Sequence, residues 1–383
     1  MAKLPKKLEQ KLEKRRSNDA LRVLTDFRDL IDFSSNDYLG LAKNHDLANA
    51  TAELLRQKKV NSNGSSGSRL LTGNHILYKE LEVFLKDYHN SEAALVFNSG
   101  YDANVGFFSS VPQRGDIVFY DELIHASIRD GIQMSNAKSY KFVHNDLNDL
   151  SEVINRSRKD LVDGSEIYVI TESVFSMDGD TPNLEALANL CAENDCHLIV
   201  DEAHATGIFG DKRDLICELE IENKVFARII TFGKALGNHG AAVLCSNALK
   251  TYLVNFARSL IYTTALSPHS VASILTAYGY LKKHGEKERA KLLANKDFFE
   301  KQIRLLQLEG SFVKSEAAIH CLIVPGNKKV KQLSELLKME GFNVKPILSP
   351  TVKEGEERLR FCLHSYNTKE EIARALQIVK SHI

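Results

Sequence analysis

Residues 231–237 read Thr-Phe-Gly-Lys-Ala-Leu-Gly, a lysine among small residues at the end of an apolar run that begins at Val225. A short apolar run bounded by glycine reads as a buried strand. Upstream, His197-Leu198-Ile199-Val200 forms a second apolar run and ends in Asp201-Glu202-Ala203-His204. Lys234 therefore follows Asp201 by 33 residues, each at a strand end. In open α/β sheets, ligands bind beyond the carboxyl ends of the strands.

Working outward, further strands are expected at Ala93–Phe97, Asp116–Tyr120, Ser139–Val143, Glu166–Thr171 and Ala241–Cys245, beside His197–Asp201 and Phe226–Thr231. Helical patterns such as Asn183–Asn194 lie between most of them. This alternation implies a mostly parallel sheet of seven strands with helices on both faces. After Pro268 the pattern changes to a long helical run, about Ser270–Leu308, then short strands at Ile319–Val324 and Leu359–Leu363, with helices at Lys329–Glu340 and Thr368–Ser381. The chain thus divides into an N-terminal segment (1–44), a large α/β domain (45–268) and a smaller C-terminal α+β domain (269–383). In the first segment, Leu4, Leu8 and Leu12 recur every fourth residue among charges. That spacing predicts an amphipathic helix that packs on the body or on a partner subunit, followed by a short strand at Leu30–Phe33.

The 383 residues suffice for roughly two to three domains at about 150 residues each. Fifty basic and fifty acidic residues cancel, so nothing global points to nucleic acid or to a membrane surface. No apolar run approaches a membrane span, and the basic N-terminus lacks the apolar core of a secretory signal. The six cysteines, at 191, 196, 217, 245, 321 and 362, show no zinc-knuckle spacing. They read as reduced thiols of a cytoplasmic protein.

A single lysine is usually a surface charge. Around Lys234, however, Gly233, Ala235, Gly237 and Gly240 allow a ligand to approach the backbone closely. Its amine is nucleophilic at neutral pH only when desolvated or near other cations. Asp201 ends an otherwise buried strand, where a carboxylate is costly unless it meets a cation. A helix N-cap is its ordinary alternative. Both residues suit pyridoxal phosphate, in which the lysine forms the Schiff base and the aspartate keeps the ring nitrogen protonated. His204 could donate to the ring hydroxyl oxygen. Asn98-Ser99-Gly100-Tyr101, between a strand and a helical stretch, offers backbone N–H groups for the phosphate, and Thr231 adds a hydroxyl. His125, after the strand ending at Tyr120, could stack on a planar ring and act on substrate protons. Its ordinary reading is a helix-start histidine. The loop Asn63–Arg69 is glycine- and serine-rich but is not assigned to phosphate.

Jointly these segments resemble the α-oxoamine synthases, homodimeric fold-type-I pyridoxal phosphate enzymes, over nearly the whole chain. The resemblance is carried by SSNDYLGL (34–41), GSSGSRLLTG (64–73), FNSGYDAN (97–104), DELIHAS (121–127), TESVFSMDGD (171–180), DEAHATG (201–207), TFGKALG (231–237) and ERLRFCL (357–363). It implies that Lys234 also removes the α-proton and that Asp201 pairs with the pyridinium. It implies that His125 stacks on the ring and that His204 and Ser176 meet the ring hydroxyl side. Gly100, Tyr101 and Thr231 would lie along the cofactor and its phosphate, Arg360 would clamp the amino acid carboxylate, and Asn36 would border the substrate. Family members condense an amino acid with an acyl thioester and lose carbon dioxide, at active sites on the dimer interface.

Among its activities the chain most resembles the one that joins L-alanine to pimeloyl-CoA or a pimeloyl-acyl carrier protein. RRSNDALR (15–22) would bring Arg22 to the substrate and SPTV (349–352) would bring Thr351. Sister activities use glycine with acetyl-CoA or serine with palmitoyl-CoA. Leu236 and Asn238-His239 depart from the small residues common beside the lysine, which leaves the acyl preference open. A non-catalytic partner subunit on the same fold is the contrasting reading. Such subunits usually lack the cofactor lysine, whereas this chain keeps Lys234, Asp201 and both histidines.

Overall fold

The structure, a computed structural model, describes residues 3–24, 29–211 and 213–383. The chain forms two compact units. The larger comprises Leu39–Ser176 and Thr181–Ala290, and the smaller gathers Met1–Tyr38, Met177–Asp180 and Lys291–Ile383. In chain order the strands are β1 (Ile31–Asp32), β2 (Ala93–Phe97), β3 (Ile117–Asp121), β4 (Lys138–Phe142), β5 (Ile167–Glu172), β6 (Cys196–Asp201), β7 (Ala227–Thr231), β8 (Ala241–Cys245), β9 (Ile319–Ile323), β10 (Phe342–Asn343), β11 (Lys345–Ile347) and β12 (Arg358–Cys362).

The larger unit is built on a seven-stranded sheet in the order β2-β8-β7-β6-β5-β3-β4. Only β8 runs antiparallel to its neighbours. β2, β5, β7 and β8 are buried along their whole length, as strands covered on both faces must be. β4, with the sequence Lys-Ser-Tyr-Lys-Phe, is exposed except at Phe142. Two lysines on this edge discourage pairing with another sheet.

The helices begin where short polar side chains cap them. Asn44 caps His45–Gln57, Ser99 caps Gly100–Ser110, Asp146 caps Leu147–Ser157 and Asn183 caps Leu184–Glu193. A buried apolar cluster, including Phe107, Phe108, Ile128, Ile170 and Ile229, joins helices to sheet. The glycine- and serine-rich loop is firmly tied. Ser65 donates to the Leu266 carbonyl, Ala265 N donates to Gly67 O at 3.0 Å, and Arg69 bonds Glu82 at 2.6 Å and the Val96 carbonyl at 3.1 Å.

The smaller unit carries an antiparallel sheet β11-β12-β9 and a parallel β1-β10 pair. Its core is aromatic: Phe33 packs against Phe342 and Phe361, and Phe299 against Phe312 and Phe361. Thr368 and Glu371 close a capping box on the helix Lys369–Lys380. The N-terminal helix, Lys6–Ser17, has no buried residue, and Leu4, Leu8 and Leu12 remain exposed. The expected packing of that stripe on the body of the chain is therefore corrected. Its leucines stand singly among charged residues and make a stripe too thin to cover a core face.

Candidate active site

In the larger unit three strand ends position the predicted cofactor residues. β6 ends in Asp201 and β7 in Thr231, while β2 feeds the helix Gly100–Ser110. A Cβ built on Gly100 would lie 2.9 Å from Thr231 Cγ2, so the threonine sits against the first turn of that helix. Beyond Thr231, Gly237 N bonds Lys234 O at 2.8 Å, Asn238 N bonds Phe232 O at 2.7 Å and Phe232 N bonds Gly240 O at 2.9 Å. These bonds fold the lysine segment into a tight turn with Lys234 half-buried. Gly237 has φ +60°, and a Cβ there would fall 2.2 Å from Ala42 N. Only glycine suits that position.

Asp201 is buried and its carboxylate is well supplied with donors. Oδ1 accepts from Ala203 N at 3.0 Å, and Oδ2 accepts from Asn104 Nδ2 at 2.9 Å. The same Asn104 nitrogen reaches Ser127 Oγ at 3.0 Å, and Ser127 Oγ lies 2.7 Å from His125 Nδ1. His125 is the N-cap of the helix Ala126–Met134, so its ordinary reading is also true. Its backbone N–H is held by Glu172 Oε1 at 2.5 Å. Glu172 pairs in register with Asp201 across β5 and β6.

These groups share one electrostatic field. Burial first, then the like charge of Asp201, push the Glu172 carboxyl up to about 8, against the opposing pull of Lys234. Glu172 therefore carries a proton at neutral pH. His125 is exposed to solvent as a residue, yet partial desolvation lowers its pKa; Asp201 opposes this and Lys234 adds to it. The balance favours the neutral imidazole.

The remaining predicted residues of this unit are placed as follows. His204 is buried in the turn after β6, and Ser176 is half-buried four residues beyond Glu172. Tyr101, half exposed in the first turn of its helix, donates to Asp130 Oδ2 at 2.7 Å. Behind the Asp201 turn lies a buried polar network. His89 Nδ1 is 2.7 Å from Asp214 Oδ2 and its Nε2 is 2.9 Å from the Tyr278 hydroxyl. Arg228 bonds Asp214 at 3.1 Å, and Glu202 accepts from Ile216 N at 3.2 Å. Burial and the nearby Asp214 charge raise the Glu202 carboxyl well above its ordinary value. Burial would raise Asp214 too, but the His89 hydrogen bond and the Arg228 charge hold it below the usual carboxylate range.

In the smaller unit, Arg360 is buried on β12. It donates to Asn36 Oδ1 at 3.1 Å and to Cys362 Sγ at 2.8 Å. Asn36 also accepts from the Tyr38 hydroxyl at 3.3 Å. Two predicted residues 329 positions apart also meet here: Arg22 Nη2 donates to Thr351 Oγ1 at 3.4 Å, both exposed.

Asn104, Ser127, Glu172 and Glu202 carry site interactions that sequence reasoning assigned to none of them. The apolar run ends its expected strand at Thr171, one residue short of Glu172, whereas β5 extends through Glu172. Asn104 stands four residues after Gly100, on the same helical face, and that spacing was the available signal. Among the described residues no group of three or more His, Cys, Asp or Glu is placed to hold a metal ion. No described helix is long and apolar enough to cross a membrane.

The chain is similar to known proteins. The family profile for aminotransferases of class I and II matches residues 28–379. The 8-amino-7-oxononanoate synthase of Emericella nidulans is 40% identical over 366 residues, covering 91% of this chain and 88% of that protein. Among solved structures, the 8-amino-7-oxononanoate synthase of Francisella tularensis superposes with a TM-score of 0.77 at 31% identity, covering 92% of this chain and 97% of that one. The serine palmitoyltransferase of Sphingomonas wittichii superposes with a TM-score of 0.90 at 26% identity, covering 100% and 98%.

Proposed function

From the premise that this chain belongs to the class I and II aminotransferase family, as a pyridoxal phosphate acyltransferase of the α-oxoamine synthase group, we propose that it is an 8-amino-7-oxononanoate synthase. It condenses L-alanine with a pimeloyl thioester, on CoA or on acyl carrier protein, and releases carbon dioxide and free thiol, in biotin synthesis. The observation that carries this reading is the 40% identity to a protein of that name across 91% of the chain.

The residues present fit the cofactor. The backbone at Gly100 is bare, Thr231 stands against it, and the helix Gly100–Ser110 presents its N-terminal N–H groups. Asp201, already held by Ala203 N and Asn104, supplies the carboxylate for a ring cation. Pyridoxal phosphate, when bound, supplies an electron sink for the pair left as the α-proton departs. Lys234 Nζ anchors the cofactor and then takes the α-proton. Asp201 keeps the ring nitrogen charged, and His204 and Ser176 steady the ring hydroxyl side. Thr231, Gly100 and Tyr101 line the phosphate end. Arg360 takes the amino acid carboxylate, with Asn36 fixing its guanidinium.

Arg22 and Thr351 receive the far end of the acyl chain. A guanidinium suits the terminal carboxylate of a pimeloyl chain, whereas a palmitoyl chain ends in a methyl group. This favours the pimeloyl reading over a serine palmitoyltransferase activity, which the structural likeness alone keeps as the second reading. A 2-amino-3-ketobutyrate CoA ligase activity would leave Arg22 no role. The working form is a cytoplasmic homodimer, supported by six free cysteines and by the exposed leucine stripe of the N-terminal helix.

Lys234→Ala tests the chemical core. Borohydride should trap pyridoxal phosphate covalently on the wild-type protein and not on the variant. Trapping that survives the substitution would sink the assignment of Lys234.

A further inference from the structure

His125 can take either neutral tautomer, and the hydrogen-bond directions around it select one. Asp201 Oδ2 accepts from Asn104, so the nitrogen and not the oxygen of that amide must face the carboxylate. The same nitrogen donates its second hydrogen to Ser127 Oγ at 3.0 Å. Ser127 Oγ is thereby an acceptor toward Asn104, and its own hydrogen is free for His125 Nδ1 at 2.7 Å. The Ser127 backbone N–H points at the same Nδ1 at 3.2 Å. A ring nitrogen that receives two hydrogen bonds carries no proton. The arrangement is not without cost, since the buried Asn104 Oδ1 receives no hydrogen bond from the described residues.

We propose that Asn104 and Ser127 are positioning residues that relay hydrogen-bond direction from the Asp201 carboxylate to His125 and hold its imidazole neutral, protonated at Nε2. Nε2 is then the nitrogen left to address a ligand, and it does so as a hydrogen-bond donor rather than as a base. The charged and titratable groups around the ring pull both ways, with a net lowering of its pKa. Asp201 and Asp130 favour the imidazolium, while burial and Lys234 oppose it. Glu172, protonated, holds the backbone N–H of His125 without adding a negative charge. The proposal rests on the reading that His125 faces the cofactor, but not on which acyl chain the enzyme takes.

The test is a long-range proton–nitrogen correlation spectrum of the full-length protein labelled with nitrogen-15 histidine, with and without pyridoxal phosphate. His125→Gln identifies the signal. The wild type should show Nε2 protonated and Nδ1 bare at pH 8, and should titrate below the ordinary histidine value of about 6.5. Ser127→Ala should move that titration upward by about one pH unit and populate the Nδ1-protonated form, and Ser127→Thr should restore the wild-type pattern. A wild-type spectrum with the proton on Nδ1 would overturn the proposal, whether or not the variants fold. So would a Ser127→Ala spectrum with an unchanged tautomer. No acyl substrate enters this experiment, so a wrong choice of acyl chain would leave its outcome untouched.

Discussion

Gly100 and Glu172 show how much the site asks of single residues. A methyl group on Gly100 would press on Thr231 Cγ2 from 2.9 Å. Overpacking of this kind costs about 1–3 kcal/mol. Gly100→Ala should therefore weaken pyridoxal phosphate binding by roughly ten- to a hundredfold, read by absorbance titration of the apoprotein. Glu172 has its carboxyl raised to about 8 by burial. Because its folded-state pKa lies above its unfolded value of about 4.5, its contribution to stability is full below that lower value. That contribution is lost as pH rises through about 8. Glu172→Gln keeps an oxygen for His125 N but cannot ionise. Its apoprotein should gain melting temperature relative to wild type between pH 5 and pH 8; parallel melting curves across that range would refute the assignment. At this scale Lys234 and Asp201 were legible because each stands at the end of an apolar run. Asn104, Ser127 and Glu172 were not, since their roles lie in hydrogen bonds made across 23 to 97 positions of sequence.

Among the elements, each of the seven strands of the large sheet lies within one or two residues of expectation, although β4 is exposed except at Phe142. Hydrophobic periodicity finds the other strands because they are largely buried. It does not find their ends, and one such residue, Glu172, belongs to the site. The tie from the glycine- and serine-rich loop to Leu266 and Val96 was equally hidden, as composition alone suggests a free loop. The buried network of His89, Asp214 and Arg228 joins the end of the helix Ile76–Tyr88 to β7 and to the start of the short helix Leu215–Glu218. Asp214 is its sole ionised acceptor among these three. Asp214→Asn would take from Arg228 its hydrogen-bonded counter-charge and leave only Glu202 to replace it, a loss of up to about 3–5 kcal/mol. Calorimetry should show a clear drop in melting temperature, and an unchanged one would remove this network from the account of stability.

For the whole molecule, the α/β architecture, the smaller α+β part and the cofactor were legible from motifs spread over the chain. The division into units was less so, because it falls at Ala290–Lys291, inside the continuous helix Pro268–Leu305. No composition shift marks a boundary in an unbroken helix. The proposed acyl specificity belongs to this scale, since Arg22 and Thr351, to which we assign it, meet only through the fold. The most direct measurement is kcat/KM for thiol release over a panel of L-alanine, glycine and L-serine against pimeloyl, acetyl and palmitoyl thioesters on CoA, with pimeloyl-acyl carrier protein added. The highest value should fall on L-alanine with a pimeloyl thioester, with 8-amino-7-oxononanoate as the product. Faster turnover of glycine with acetyl-CoA, or of serine with palmitoyl-CoA, would contradict the account.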